Sequence, residues 1–115
     1  MQKIILLCLV LIFLCGCEND DPQTSYAIKY EVTGTAALVN ITYTNDFGFE
    51  FSFDTHLPWY WGEFYTIEGN QLSLIGRNLT AEGDITVIIY VDGEIADQDT
   101  CSGAYCIASA FKILK

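Results

Sequence analysis

The chain is short of positive charge: five Lys and Arg stand against fifteen Asp and Glu. Nucleic acid and anionic lipid both require a basic footprint, which excludes them as partners. The excess of acid does not by itself specify a cationic partner, because acidic surfaces also serve solubility. Histidine occurs once, as His56 beside Leu57-Pro58. A lone His at a strand end is the pattern of a hydrogen-bonded structural residue, not of a metal or catalytic cluster. No Ser lies in a G-x-S-x-G context. Asp92-Gly93-Glu94 and Asp97-Gln98-Asp99 lack the ligand array of a calcium loop and read as a turn and an acidic strand. These absences point away from an enzyme, a cofactor or a metal site. The chain also lacks a hydrophobic run long enough to span a bilayer, which takes ~20 residues. No stretch after the first twenty-five residues carries helical periodicity with caps.

What is present begins with Lys3, an apolar segment Ile4–Leu14, and Leu14-Cys15-Gly16-Cys17. A short positive region, an apolar core and a small residue before the cut make a signal peptide. A Cys immediately after the cut resembles a bacterial lipoprotein box, since a thiolate is the side chain nucleophilic enough to take a diacylglycerol. The sequence thus reads as a signal peptide over 1–16, lipidation and membrane attachment at Cys17, an acidic tether over 17–25, and one domain over 26–115. The expected location is the cell envelope on the extracytoplasmic side, at the outer membrane or cell surface. The acidic run Glu18-Asn19-Asp20-Asp21 resembles the surface-export signal of lipoproteins in Bacteroidota and reads equally as a solvated linker. Removing sixteen residues leaves 99, with four basic residues against fifteen acidic and a net charge of −11.

From Tyr26 onward the periodicity is two. Tyr26, Ile28, Tyr30 and Val32 alternate with wetter residues, and Ala37, Val39, Ile41 and Tyr43 form the inner face of a second strand. Phe47, Phe49, Phe51 and Phe53 make an aromatic stripe whose default explanation is core packing. Leu57-Pro58 interrupts the ladder. Strands follow at Glu63–Ile67, Gln71–Arg77, Ile85–Val91, Glu94–Thr100 and Tyr105–Ile113. Asp92-Gly93 is a type I′ hairpin signal. The acids of Glu94–Thr100 suit an edge strand that must resist pairing, and Ile85–Val91 suits a central one. Seven or eight short strands predict an all-β fold, an immunoglobulin-like antiparallel β-sandwich, with a small barrel as the alternative. Cys101 and Cys106, an even pair in an exported chain, are expected to form a structural disulfide across a hairpin-sized loop. On the chain-entropy account so small a loop adds ~2 kcal/mol.

Several segments occur together in order: Tyr30-Glu31-Val32-Thr33-Gly34-Thr35-Ala36, Ile41-Thr42-Tyr43-Thr44-Asn45-Asp46, Leu57-Pro58-Trp59, Ile89-Tyr90-Val91-Asp92-Gly93 and Ser102-Gly103-Ala104-Tyr105. The set resembles the MmpS family (mycobacterial membrane protein, small) and related bacterial lipoproteins, over most of residues 26–110. The resemblance implies an extracytoplasmic β-sandwich and an accessory role beside RND-type MmpL exporters. Two departures bear on it. The mycobacterial members keep an N-terminal membrane helix where this chain carries a lipoprotein box. A cysteine pair of many members falls at Val87 and Ala110 here.

Leu57-Pro58-Trp59-Tyr60-Trp61-Gly62 is the candidate binding segment, because adjacent side chains on a strand point to opposite faces and its three consecutive aromatics cannot all face inward. Trp59, matching the Leu-Pro-Trp of the family, is expected in the core. Tyr60 or Trp61 is expected outside, with Tyr65 nearby. Three function classes follow: an accessory or binding lipoprotein working with an envelope transporter, a carbohydrate- or lipid-binding module, and a structural envelope protein.

Overall fold

The computed structural model describes residues 24–115. The lipoprotein box, Cys17 and nearly all of the acidic tether lie outside the described residues. Eight strands follow one another: β1 (Ser25–Thr33), β2 (Val39–Thr44), β3 (Glu50–Thr55), β4 (Trp59–Ile67), β5 (Gln71–Asn78), β6 (Asp84–Val91), β7 (Glu94–Ser102) and β8 (Ile107–Ile113). They form two antiparallel four-stranded sheets. Sheet I has the order β4-β1-β6-β7 and sheet II the order β3-β2-β5-β8. The fold is a β-sandwich, as the period-two alternation predicts. Only β2–β3 and β6–β7 are hairpins within one sheet; every other link passes between sheets.

The core is the inner face of both sheets. Ile28, Tyr30, Val32, Ile85, Val87 and Ile89 come from sheet I, and Val39, Ile41, Leu72, Leu74, Ala108 and Ala110 from sheet II. Val87 and Ala110 are both buried, on opposite sheets. Gly76 lets the layers approach closely: a Cβ there would lie 3.0 Å from Ile85 and 3.1 Å from Val87. A side chain at this point would overpack the core.

All strands share two ends. One end carries Thr24, the Thr44–Glu50 loop, the Ile67–Gln71 turn, the Asp92-Gly93 turn and Lys115; it is called the tether end, since the chain enters the domain there. Asp92 and Gly93 both have positive φ (53° and 85°), the requirement of a type I′ turn. The distal end carries the Gly34–Leu38 loop, His56, the Leu79–Gly83 loop and the disulfide. Asn78, fully buried, organises that end. Its amide donates to the carbonyls of Glu82 and Gly103, both at 3.0 Å, and its Oδ1 accepts from Thr80 N and Oγ1 at 2.8 and 2.6 Å. A buried amide satisfied on both sides costs little to desolvate and ties the loops to β5.

Four expectations need correction. The Cys101–Cys106 disulfide is present, but its loop is not a hairpin: β7 and β8 belong to different sheets, so the bond staples a crossover. Ala37 is exposed and Ala36 takes the buried place, because β2 starts only at Val39. β4 starts at Trp59, immediately after Pro58, not at Glu63. Phe47 and Phe49 do not pack in the core. They precede β3, in a loop that exposes 77% and 66% of their surface.

The two sides of the sandwich are closed by different chemistry. On one side β7 and β8 are the edge strands. The Asp99 and Asp97 carboxylates of β7 accept hydrogen bonds from the backbone amides of Ser109 (2.9 Å) and Phe111 (2.8 Å) in β8. These amides belong to an edge strand with no further neighbour in its sheet, so the acids cap an edge across the layers. On the other side, β3 and β4 are the edges, and aromatic rings fill the seam between them.

Candidate aromatic binding surface

The aromatic seam follows from an irregularity in β4. Tyr30 pairs with Trp61 and Val32 with Trp59, but Ile28 pairs with Phe64, so one extra residue is accommodated between Trp61 and Phe64. This is a β-bulge at Gly62-Glu63. Gly62 has φ 124°, and a Cβ on it would meet the Ile28 carbonyl oxygen at 2.8 Å; only glycine fits. The bulge shifts the alternation by one, so Trp59, Trp61, Phe64 and Thr66 all turn inward while Tyr60, Tyr65 and Ile67 turn outward.

The inward rings form a continuous cluster. Trp61 lies 4.7 Å from Tyr43, 4.5 Å from Phe64 and 5.9 Å from Tyr30, stacked on the last with an interplanar angle of 28°. Trp59 lies 5.3 Å from Tyr43 and 5.4 Å from Phe53. Both tryptophans are half-buried against the core. Trp59, expected in the core, turns inward but stays half-buried at its margin, and of Tyr60 and Trp61 it is Tyr60 that points outward. Such offset and edge contacts add to the apolar area each ring buries. Phe51 joins from β3 at 5.8 Å from Tyr43 and keeps about half its surface in solvent.

Tyr60 and Tyr65 stand on the outer face of sheet I, 58% and 64% exposed. Tyr60 is opposite Glu31 in the register, and Glu31 is opposite Ile88. Beside them the Lys29 ammonium sits 5.0 Å over the Tyr90 ring, and the Tyr90 hydroxyl donates a 2.9 Å hydrogen bond to Glu31. That carboxylate raises the Tyr90 phenol above its ordinary pKa, with smaller contributions from burial and from the charges nearby. The face therefore presents three tyrosines with a cation and a carboxylate fixed between them. Lys29, Glu31 and Tyr90 are absent from the sequence-based candidates. The wet parity of β1 exposes Lys29 and Glu31 as outward residues, but pairing with Tyr90 is set by the β1–β6 register, which no local pattern displays.

The remaining candidates separate. His56 is exposed at the distal end, its Nδ1 2.9 Å from the Ala37 carbonyl oxygen, and holds a loop. Cys101 and Cys106 are bonded at the same end and face no charged cluster. Among the described residues, no group of three or more His, Cys, Asp or Glu side chains is placed to hold a metal ion. A shallow cleft of about 410 Å³ opens at the tether end, lined by residues including Tyr26, Ile95, Lys112, Ile113 and Lys115. It does not adjoin the tyrosine face. No protein-family model matches the chain, and no curated protein matches it.

Proposed function

We propose that this chain is a non-enzymatic lipoprotein of the cell envelope that binds a partner protein through the outer face of sheet I, with Tyr60 and Tyr65 as anchors. The observation that carries the reading is the exposure of these two rings on either side of the β4 bulge, beside the preassembled Lys29–Tyr90–Glu31 group. Rigid aromatics offer contact area at low entropic cost and dominate interfaces. The lipoprotein box at Cys17 supports attachment at the outer membrane or cell surface. The likeness to MmpS proteins supports an accessory role beside an RND-type exporter. Trp61 contributes by holding β4 in place from beneath.

A second reading is favoured by the same face. Exposed tyrosines on a sheet face suit stacking on sugar rings, so a carbohydrate-binding lipoprotein is the alternative.

Both readings are tested with the full chain isolated from membranes, alongside Tyr60→Ala/Tyr65→Ala. Capture of an envelope protein by the wild type, lost at least tenfold in the double variant, supports the first reading. Retention on a glycan array with the same loss supports the second. Undiminished capture by the double variant overturns the assignment of this face.

A further inference from the structure

The Asn45–Phe49 loop at the tether end is built to hold two phenylalanines in solvent. The Asn45 side-chain oxygen accepts hydrogen bonds from the backbone amides of Phe47 and Phe49, both at 2.9 Å. Asn45 N donates to the Phe49 carbonyl at 2.9 Å, and Gly48 N to the Asn45 carbonyl at 3.1 Å. Gly48 supplies the positive φ of 84° that closes the loop. From the adjoining strand, Thr66 Oγ1 donates to the Asp46 carbonyl at 3.2 Å. With its backbone tied at five points, the loop presents Phe47 and Phe49 in a fixed place. Ile67, Ile95 and Ile113, each at a strand terminus of the same end, are also exposed. By the same measure the distal end exposes Tyr60, Tyr105 and Ile107 among the large apolar residues described, and no phenylalanine.

The tether begins at this same end. Thr24 is held against the β4–β5 turn: its carbonyl accepts from Glu68 N at 3.1 Å, and its amide donates to the Glu68 side chain at 3.2 Å. Seven positions separate Thr24 from Cys17, which at full extension reach about 25 Å. A lipid on Cys17 therefore keeps Thr24 within that distance of the bilayer, and the phenylalanines stand at the same end of the sandwich. Asp46, Glu50, Glu68, Asp92 and Glu94 outnumber the two lysines of this end, Lys112 and Lys115. An anionic headgroup would be repelled, so the attraction is apolar and the fitting surface is a neutral one.

We propose that Phe47 and Phe49 insert into the interface of the membrane to which the chain is anchored, fixing the domain upright with the tyrosine face of sheet I directed sideways. The inference rests on lipidation of Cys17. It is independent of what the tyrosines bind.

The test places a fluorescent reporter in the loop. Full-length Phe47→Trp, Tyr105→Trp and wild-type chains are purified from membranes and reconstituted in phosphatidylcholine vesicles with brominated acyl chains, and the lipid on Cys17 is read by mass spectrometry. Expected is quenching of the Phe47→Trp chain at least twofold greater than wild type, with Tyr105→Trp no more quenched than wild type. A lipidated Phe47→Trp chain quenched no more than wild type overturns the loop insertion alone, whether the loop is in water or covered by protein. An unmodified Cys17 overturns the anchoring reading, and the insertion falls with it.

Discussion

The Tyr30 hydroxyl, at the centre of β1, donates a 2.8 Å hydrogen bond across the sandwich to the Thr44 carbonyl at the end of β2. It also lies 3.2 Å from Thr44 Oγ1, which in turn accepts from Ser73 N at 3.0 Å. The ring above is fully buried among Tyr43, Trp61 and Phe64. The largest polar handle of the core is thus spent on joining the two sheets.

Burial pushes the Tyr30 phenol up to about 12, against a smaller opposing effect of the Thr44 hydrogen bond. The folded state therefore holds this proton to higher pH than the unfolded chain. Between pH ~10 and ~12 it binds more protons than the unfolded state, so stability falls as pH rises through that window and is unaffected by this group below it. At ~1.4 kcal/mol per pH unit the full loss is about 3 kcal/mol. Urea unfolding across pH 8 to 12 checks it. Tyr30→Phe should cost about 1 kcal/mol at neutral pH and flatten the alkaline decline; an equally steep decline in the variant would remove Tyr30 as its cause.

The tryptophans and Tyr60 should separate in the same assay. Trp59→Ala and Trp61→Ala each open space in the seam between β3 and β4, and each is expected to cost about 2–4 kcal/mol, below the figure for a fully buried ring. Tyr60→Ala removes an outward, mostly exposed ring and should change stability by less than ~1 kcal/mol. Equal losses for Tyr60→Ala and Trp61→Ala would contradict the bulge that puts them on opposite faces.

Asp97 and Asp99 protect an edge. Asp97→Ala/Asp99→Ala leaves the Ser109 and Phe111 amides without these acceptors and uncovers the β8 edge. A loss of roughly 1–3 kcal/mol is expected from charge-assisted bonds of this kind, together with concentration-dependent self-association in size-exclusion chromatography. Glu94→Ala, on the same strand without such a contact, should remain monodisperse in the manner of the parent. Unchanged elution of the double variant at high concentration would show that the carboxylates do not guard the edge.

The local pattern of the chain determined the strands. Period-two alternation at Ile28, Tyr30 and Val32, the Asp92-Gly93 turn and the apolar run Ile85–Val91 each depend on neighbours in sequence, so the β-sandwich, the turn and the central place of β6 were legible without coordinates. The isolated pair Cys101 and Cys106 was legible for the same reason, since few other partners existed. What the tertiary structure alone decided lies where side chains meet across layers. The bulge at Gly62-Glu63 reverses the parity of β4 midway and thereby selects Tyr60 over Trp61 as the outward ring. At the bulge Gly62 comes close to the Ile28 carbonyl of β1, far away in the chain, where no side chain would fit. The phenylalanine stripe divides because Asn45 closes a loop before β3 begins, leaving Phe47 and Phe49 outside and Phe53 against Trp59. The acids of β7 reach amides of the other sheet, and Lys29 meets Tyr90 through the β1–β6 register. Alternation reports which way a side chain points, but the neighbour it meets is set by the packing of strands remote in sequence.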